Sequence, residues 1–259
     1  MLEKVLKLVI IISVCLSSFN VYATNGQSDS CKYLIPEEKF HVKQLILPAS
    51  FIAVGAFGAA NGWFNKHVDQ EINGWMQDWR GDCRFHIDDY FQYVPAATYL
   101  GLEVFGVKTR HSIQERLAVL GTSYLAMAIM VNSIKWCVDR QRPDSGAMNS
   151  FPSGHTATVF MGAELMRMEY KDASPWYGIG AYTIATGVAF MRLYNNRHWL
   201  SDVLAGAGFG ILSAKIGYWL LPLERKLFRI KGKNNATLVV LPFYDANKKG
   251  AGASLAWCF

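Results

Sequence analysis

Charge is scarce in this chain of 259 residues: 18% are Asp, Glu, Lys or Arg, against 51% apolar. That balance suits one domain with a large buried or lipid-facing area, although the mean hydropathy is only +0.12. The net charge of +6 is modest, which gives no reason to invoke a nucleic-acid partner. Internal repeats and low-complexity segments are lacking. The five cysteines, at positions 15, 31, 83, 137 and 258, include no pair spaced as a zinc or redox motif. His86, Asp88 and Asp89 have no second ligand cluster nearby, so they read as a solvated loop and not a metal site.

What the chain does contain is three short polar clusters set in apolar surroundings. They are Lys135 with Arg142-Pro143, then Pro152-Ser153-Gly154-His155, then Arg192 with His198 and Asp202. Lys135, Arg142 and Arg192 donate hydrogen bonds and accept none, so gathered together they suit a multiply charged oxyanion such as phosphate and repel a metal cation. Ser153-Gly154 precedes an apolar run and reads as a helix start whose free N–H groups can hold the same anion. His198 and Asp202 are four apart, so on a helix they share a face and the carboxylate can fix the imidazole tautomer. A neutral, oriented imidazole is a competent nucleophile toward phosphorus, which leaves His155 to protonate the departing alkoxide. Asp139 and Arg140 fall outside this spacing and read as a solvated local ion pair.

In order and spacing the three clusters resemble the signature of the type 2 phosphatidic acid phosphatase and vanadium haloperoxidase superfamily. The resemblance implies that Lys135, Arg142 and Arg192 bind phosphate with help from Ser153 and the amide of Gly154. It implies His198 as a nucleophile that forms a phosphohistidine, Asp202 as its orienter and His155 as general acid, with no metal and no cofactor. Met191 is a departure, since many members carry serine before the arginine.

The expected fold is all-α: a membrane-embedded six-helix bundle with a short C-terminal β-hairpin. The predicted helices are 45–64, 90–107, 117–134, 155–168, 176–191 and 199–221, with a short surface helix over 68–79. On this reading all three clusters meet at one end of the bundle. Residues 1–23 resemble a secretory signal peptide cleaved after Ala23, and the residues before Cys15 fit a lipoprotein box poorly. A polar segment covers 24–42, the helical domain 43–222, and a basic tail with the hairpin 223–259. The hairpin reads as a packing appendage. Cys31 and Cys83 fall in polar segments of an oxidising compartment, which leaves a disulfide between them open, while Cys137 reads as a small packing residue.

The resemblance implies a bacterial envelope phosphatase acting on a lipid phosphate monoester or pyrophosphate, of the lipid A, undecaprenyl pyrophosphate or phosphatidylglycerol phosphate class. The expected partners are that phosphorylated lipid and membrane lipids. With the site facing the periplasm from the inner membrane, Lys108, Arg110, Arg116, Arg167, Lys171 and the run 225–233 fall on the cytoplasmic side, as the positive-inside rule asks. A cleaved signal conflicts with six full spans in that orientation, so a periplasmic or outer-membrane location and a soluble non-specific acid phosphatase stand as alternatives. A non-enzymatic scaffold would show eroded catalytic positions, and none is eroded here.

Overall fold

The structure, a computed structural model, describes residues 40–81 and 83–230 and the backbone of strands 237–245 and 250–258. The expected signal peptide, nearly all of the polar segment and Cys31 lie outside the described residues. Cys83 and Cys137 are exposed.

A 3-10 turn, Val42–Leu45, leads into α1, Ile46–Ala60. The Asn61 side chain stops that helix by accepting the Phe64 N–H, and starts a second helical stretch: Gly62–Phe64, a π-helical segment Asn65–Asp69, then α2, Gln70–Arg80. The single helix expected over 90–107 is broken into Asp88–Phe91, α3 (Val94–Gly101) and a 3-10 turn Leu102–Phe105. Pro95 in the first turn of α3 cannot donate backward, and Gly106 at φ +80° ends the 3-10 turn.

The four long helices are α4 (Ile113–Cys137), α5 (Gly154–Tyr170), α6 (Pro175–Tyr194) and α7 (Leu200–Phe228). Ser112 and Glu115 form a reciprocal capping box on α4, and Ser174 with Pro175 starts α6. α7 runs through Pro222 as far as Phe228 and is tied there by Arg225 to Glu115 of α4 at 2.7 Å. Strands β1 (Thr237–Asp245) and β2 (Gly250–Cys258) pair antiparallel, Thr237 opposite Cys258 and Asp245 opposite Gly250.

The bundle is built around α5 and α7, whose side chains are mostly buried. α7 packs against α1, α4 and α5, and α5 against α3 and α6. Close approach of α5 and α7 rests on Gly206 and Gly210: a Cβ at Gly206 would stand 2.5 Å from the Ser153 carbonyl oxygen, and one at Gly210 2.3 Å from that of Ala157.

Among the described residues three stretches, Val42–Ala60, Ile113–Cys137 and Leu200–Phe228, are long and apolar enough to cross a membrane, and we read the chain as a membrane protein. Val54 and Phe57 of α1 and Leu117, Leu125 and Ile129 of α4 face outward, as lipid contact requires. Lys215, which makes α7 look poorly lipid-like in sequence, points inward and donates to Glu164 at 2.6 Å. Other charges at that end are also paired inside: Glu169 accepts from His111 and Tyr218, and Arg116 donates to the Tyr99 carbonyl and Glu103.

Candidate active site

Helix ends bring the three clusters together at the opposite end of the bundle. Lys135 lies in the last turn of α4, Ser153 is the N-cap of α5, Arg192 lies in the last turn of α6, and His198 and Asp202 flank the start of α7. The loop 138–153 carries Arg142. Asn149 in that loop tethers both cations beside it: its carbonyl accepts from Lys135 Nζ at 2.6 Å, and its side chain accepts from Arg142 Nε at 2.8 Å.

His198 differs from expectation in one respect. α7 begins at Leu200 with Trp199 as its N-cap, so His198 precedes the helix and does not share a face of it with Asp202. Asp202, in the first turn, instead accepts the backbone N–H of Trp199 at 2.9 Å, which closes the helix start. The residues still meet: Nδ1 of His198 is 3.6 Å from Asp202 Oδ2, and Ser150 Oγ stands between them, 2.5 Å from that oxygen and 3.5 Å from Nδ1. Burial pushes the His198 imidazole down to about 4, with Arg192 and Arg142 acting the same way and Asp202 opposing. The ring is therefore neutral near pH 7, which leaves one ring nitrogen with a free lone pair.

His155 sits in the first turn of α5, its Nε2 2.9 Å from Asp89 Oδ1. Burial and the Arg192 charge lower its pKa, and Asp89 opposes them. Arg192 donates from Nη1 to Asp88 Oδ2 at 2.5 Å and reaches Asp89 Oδ1 at 3.3 Å, while its buried Nε–H has no partner among the described residues. Asn195 also holds Asp88, at 3.1 Å.

Asp88 is thus buried and Asp89 half-exposed, both against site cations, and the expected solvated loop is corrected. Arg140 is a second correction. It is only 8% exposed and is bonded to Asp69 and Asp202, not paired in solvent with Asp139. Both misreadings have one cause: the partners are distant in sequence. Burial lowers the Arg142 guanidinium below its ordinary value, and Arg192 and Arg197 push the same way against Asp144 and Asp202. An anion among these like charges would relieve that strain. Among the described residues no group of three or more His, Cys, Asp or Glu is gathered as a metal site.

Residues 116–226, which hold all three clusters, match the PAP2 superfamily. They form a PAP2 domain. The chain is 39% identical over 210 residues to the lipid A 1-phosphatase of Porphyromonas gingivalis, a match that covers 79% of this chain and 46% of that protein. It is 35% identical over 74 residues to the bacitracin transport permease protein BcrC of Bacillus licheniformis, covering 29% of this chain and 34% of the relative. The chain thus spans under half the length of these curated relatives. Among solved structures it is similar to LpxE of Aquifex aeolicus (TM-score 0.44, 20% identity, 58% of this chain and 94% of that one). It is also similar to a transmembrane PAP2-type phosphatidylglycerolphosphate phosphatase of Bacillus subtilis (TM-score 0.47, 20% identity, 71% and 99%).

Proposed function

We propose that the protein is a membrane phosphatase that hydrolyses a lipid phosphate monoester or pyrophosphate, with its PAP2 domain as the catalytic unit. The observation that carries this reading is the convergence of Lys135, Arg142 and Arg192 around a buried neutral imidazole, that of His198. The three cations bind the phosphoryl oxygens, aided by Ser153 and the free amide of Gly154 at the start of α5. His198, oriented from its Nδ1 side by Asp202, attacks phosphorus through Nε2 as the ester P–O bond breaks. His155 gives its proton to the departing oxygen. Water then attacks the phosphohistidine, and His155 takes a proton from that water, returning the free histidine and inorganic phosphate.

A lipid substrate is supported by an apolar groove of about 360 Å³ beside the site, lined by Ile87, Phe91, Ile184, Gly187, Val188 and Met191. Asp88, the carboxylate that holds Arg192, stands in the same wall, so an acyl chain in the groove would leave its phosphate near the cations. The P. gingivalis relative, by its name, acts at the 1-phosphate of lipid A, and that is the substrate class we favour. We place the site at the periplasmic face of the inner membrane, because the basic residues Arg110, Arg116, Arg167 and Arg225 belong to the opposite end of the bundle.

The test is phosphate release by the purified protein from a panel of lipid phosphates and from p-nitrophenyl phosphate, with His198→Ala beside the native chain. A loss of order 10³-fold or more on every substrate, at unchanged helix content, is expected of a missing covalent nucleophile. Near-normal turnover by the variant would overturn the reading.

A further inference from the structure

A carboxylate–guanidinium–carboxylate chain is buried beneath the site, and two of its three members, Asp69 and Arg140, belong to none of the three motifs. Arg140 donates from Nη2 to Asp69 Oδ2 at 2.7 Å and from Nη1 to Asp202 Oδ1 at 2.9 Å. Nη1 also reaches Ser201 Oγ at 2.7 Å. Asp69 in turn accepts the Ser201 backbone N–H at 3.0 Å and its hydroxyl at 2.6 Å. Asp69, Arg140 and Asp202 are 1%, 8% and 0% exposed, and the Trp199 ring covers the guanidinium. The backbone at Arg140 is fixed as well: its carbonyl accepts the N–H of Ser150, the residue whose hydroxyl holds the other oxygen of Asp202. Asp69 closes the π-helical segment Asn65–Asp69, an irregularity that presents its carboxylate to the start of α7.

Buried groups on which two opposite charges converge cost free energy unless each is answered, so a chain this complete restrains whatever it touches. Its end is Asp202, and Asp202 faces His198. We propose that Asp69 and Arg140 are positioning residues for the phosphoryl-accepting imidazole: through Asp202 they hold the His198 ring and set the charge that it meets. The proposal rests on the reading of His198 as nucleophile. The other charged groups that face this pair are Lys135 at the end of α4, Arg142 in the loop 138–153 and Arg192 at the end of α6.

The chain predicts opposite effects from its two members. Arg140 offsets the Asp202 charge, so Arg140→Gln strengthens the field that favours imidazolium and moves the acid limb of the kcat/KM profile to higher pH. Asp69 draws Arg140 away from Asp202, so Asp69→Asn lets the guanidinium bear fully on Asp202 and moves that limb to lower pH. Purified full-length variants are assayed on p-nitrophenyl phosphate from pH 3 to 8, where the ionisation of the substrate is common to all.

For Arg140→Gln the expected result is a fall in kcat of about tenfold or more with KM changed less than about threefold, since the residue does not touch phosphate. Arg140→Lys restores the position of the acid limb but not the full rate, because an ammonium cannot make both contacts of the fork. If Arg140→Gln does not fold, the limb positions of Asp69→Asn and Arg140→Lys decide the matter. A purely structural role lowers the yield of folded protein and leaves the limbs in place. Limbs that stay fixed, or that move the same way in Arg140→Gln and Asp69→Asn, overturn the proposal. Activity retained by His198→Ala overturns the nucleophile reading instead, so the two failures are distinguishable.

Discussion

Arg192 and Asp88, 104 residues apart in sequence, meet as a buried pair with Nη1 2.5 Å from Oδ2. The carboxylate occupies one side of the guanidinium and leaves the buried Nε–H unpartnered among the described residues. Arg192 is thereby aimed and partly neutralised by Asp88, which lets a cation share a small volume with Lys135 and Arg142.

Asp88→Asn should therefore raise KM more than it lowers kcat. A charge-assisted hydrogen bond contributes about 1.5–3 kcal/mol, so loss of a fixed Arg192 should weaken substrate capture about 10- to 100-fold. Steady-state kinetics on one lipid phosphate check this, and a variant that loses only kcat would mean that Asp88 does not serve binding.

How much of this was legible in the sequence follows from chain separation. Lys135, Ser153, Gly154, Arg192 and Asp202 lie at helix ends, and helix starts and stops are written in local signals: the Pro-Ser-Gly run before α5, the apolar periodicity of α4 and α6. Convergence at one end follows from antiparallel helices alone. The supporting carboxylates were not legible. Asp69 meets Arg140 across 71 residues and Asp88 meets Arg192 across 104, and nothing local distinguishes such residues from solvated ones. The one signal available was a scarcity of charge: in a chain only 18% charged, an Asp-Asp pair directly before an apolar stretch marks a candidate partner for a buried cation. The break at Pro95 was visible as a proline, yet the apolar content of 90–107 outweighed it.

Gly210→Ala should destabilise the bundle by about 1–3 kcal/mol, because the added methyl meets the Ala157 carbonyl oxygen at 2.3 Å and forces α5 and α7 apart. Gly180→Ala, on α6 with nothing within 4 Å, should leave stability unchanged or slightly raised. Thermal unfolding in one detergent compares the two. Equal shifts would mean that the α5–α7 contact is not tight there.

Gly187→Phe should separate lipid from soluble substrates. The position lines the apolar groove, and a Cβ there meets nothing within 4 Å, so the ring fills space that an acyl chain would use. Displacing two methylenes at about 0.8 kcal/mol each raises KM for a long-chain lipid phosphate roughly tenfold. KM for p-nitrophenyl phosphate should not change. Parallel losses on both substrates would remove the groove from the binding site.

Asp89→Asn tests the acid side of the reaction. Above about pH 4 His198 is neutral, and in the proposed mechanism activity then depends on how much His155 carries the proton that the leaving group needs. Burial and Arg192 hold the His155 pKa below its ordinary 6.5, with Asp89 and Asp88 pulling it back, so kcat/KM for an alkyl phosphate should fall as pH rises through a value under 6.5. Removing the Asp89 charge withdraws support from the imidazolium and moves this basic limb to lower pH. Because Asp89 is 47% exposed, solvent screens its charge and the shift should be small. On p-nitrophenyl phosphate, whose phenolate leaves with little protonation, the variant should lose much less activity at pH 7. A basic limb that stays in place would show that the His155–Asp89 contact, at 2.9 Å, is not what keeps the acid protonated.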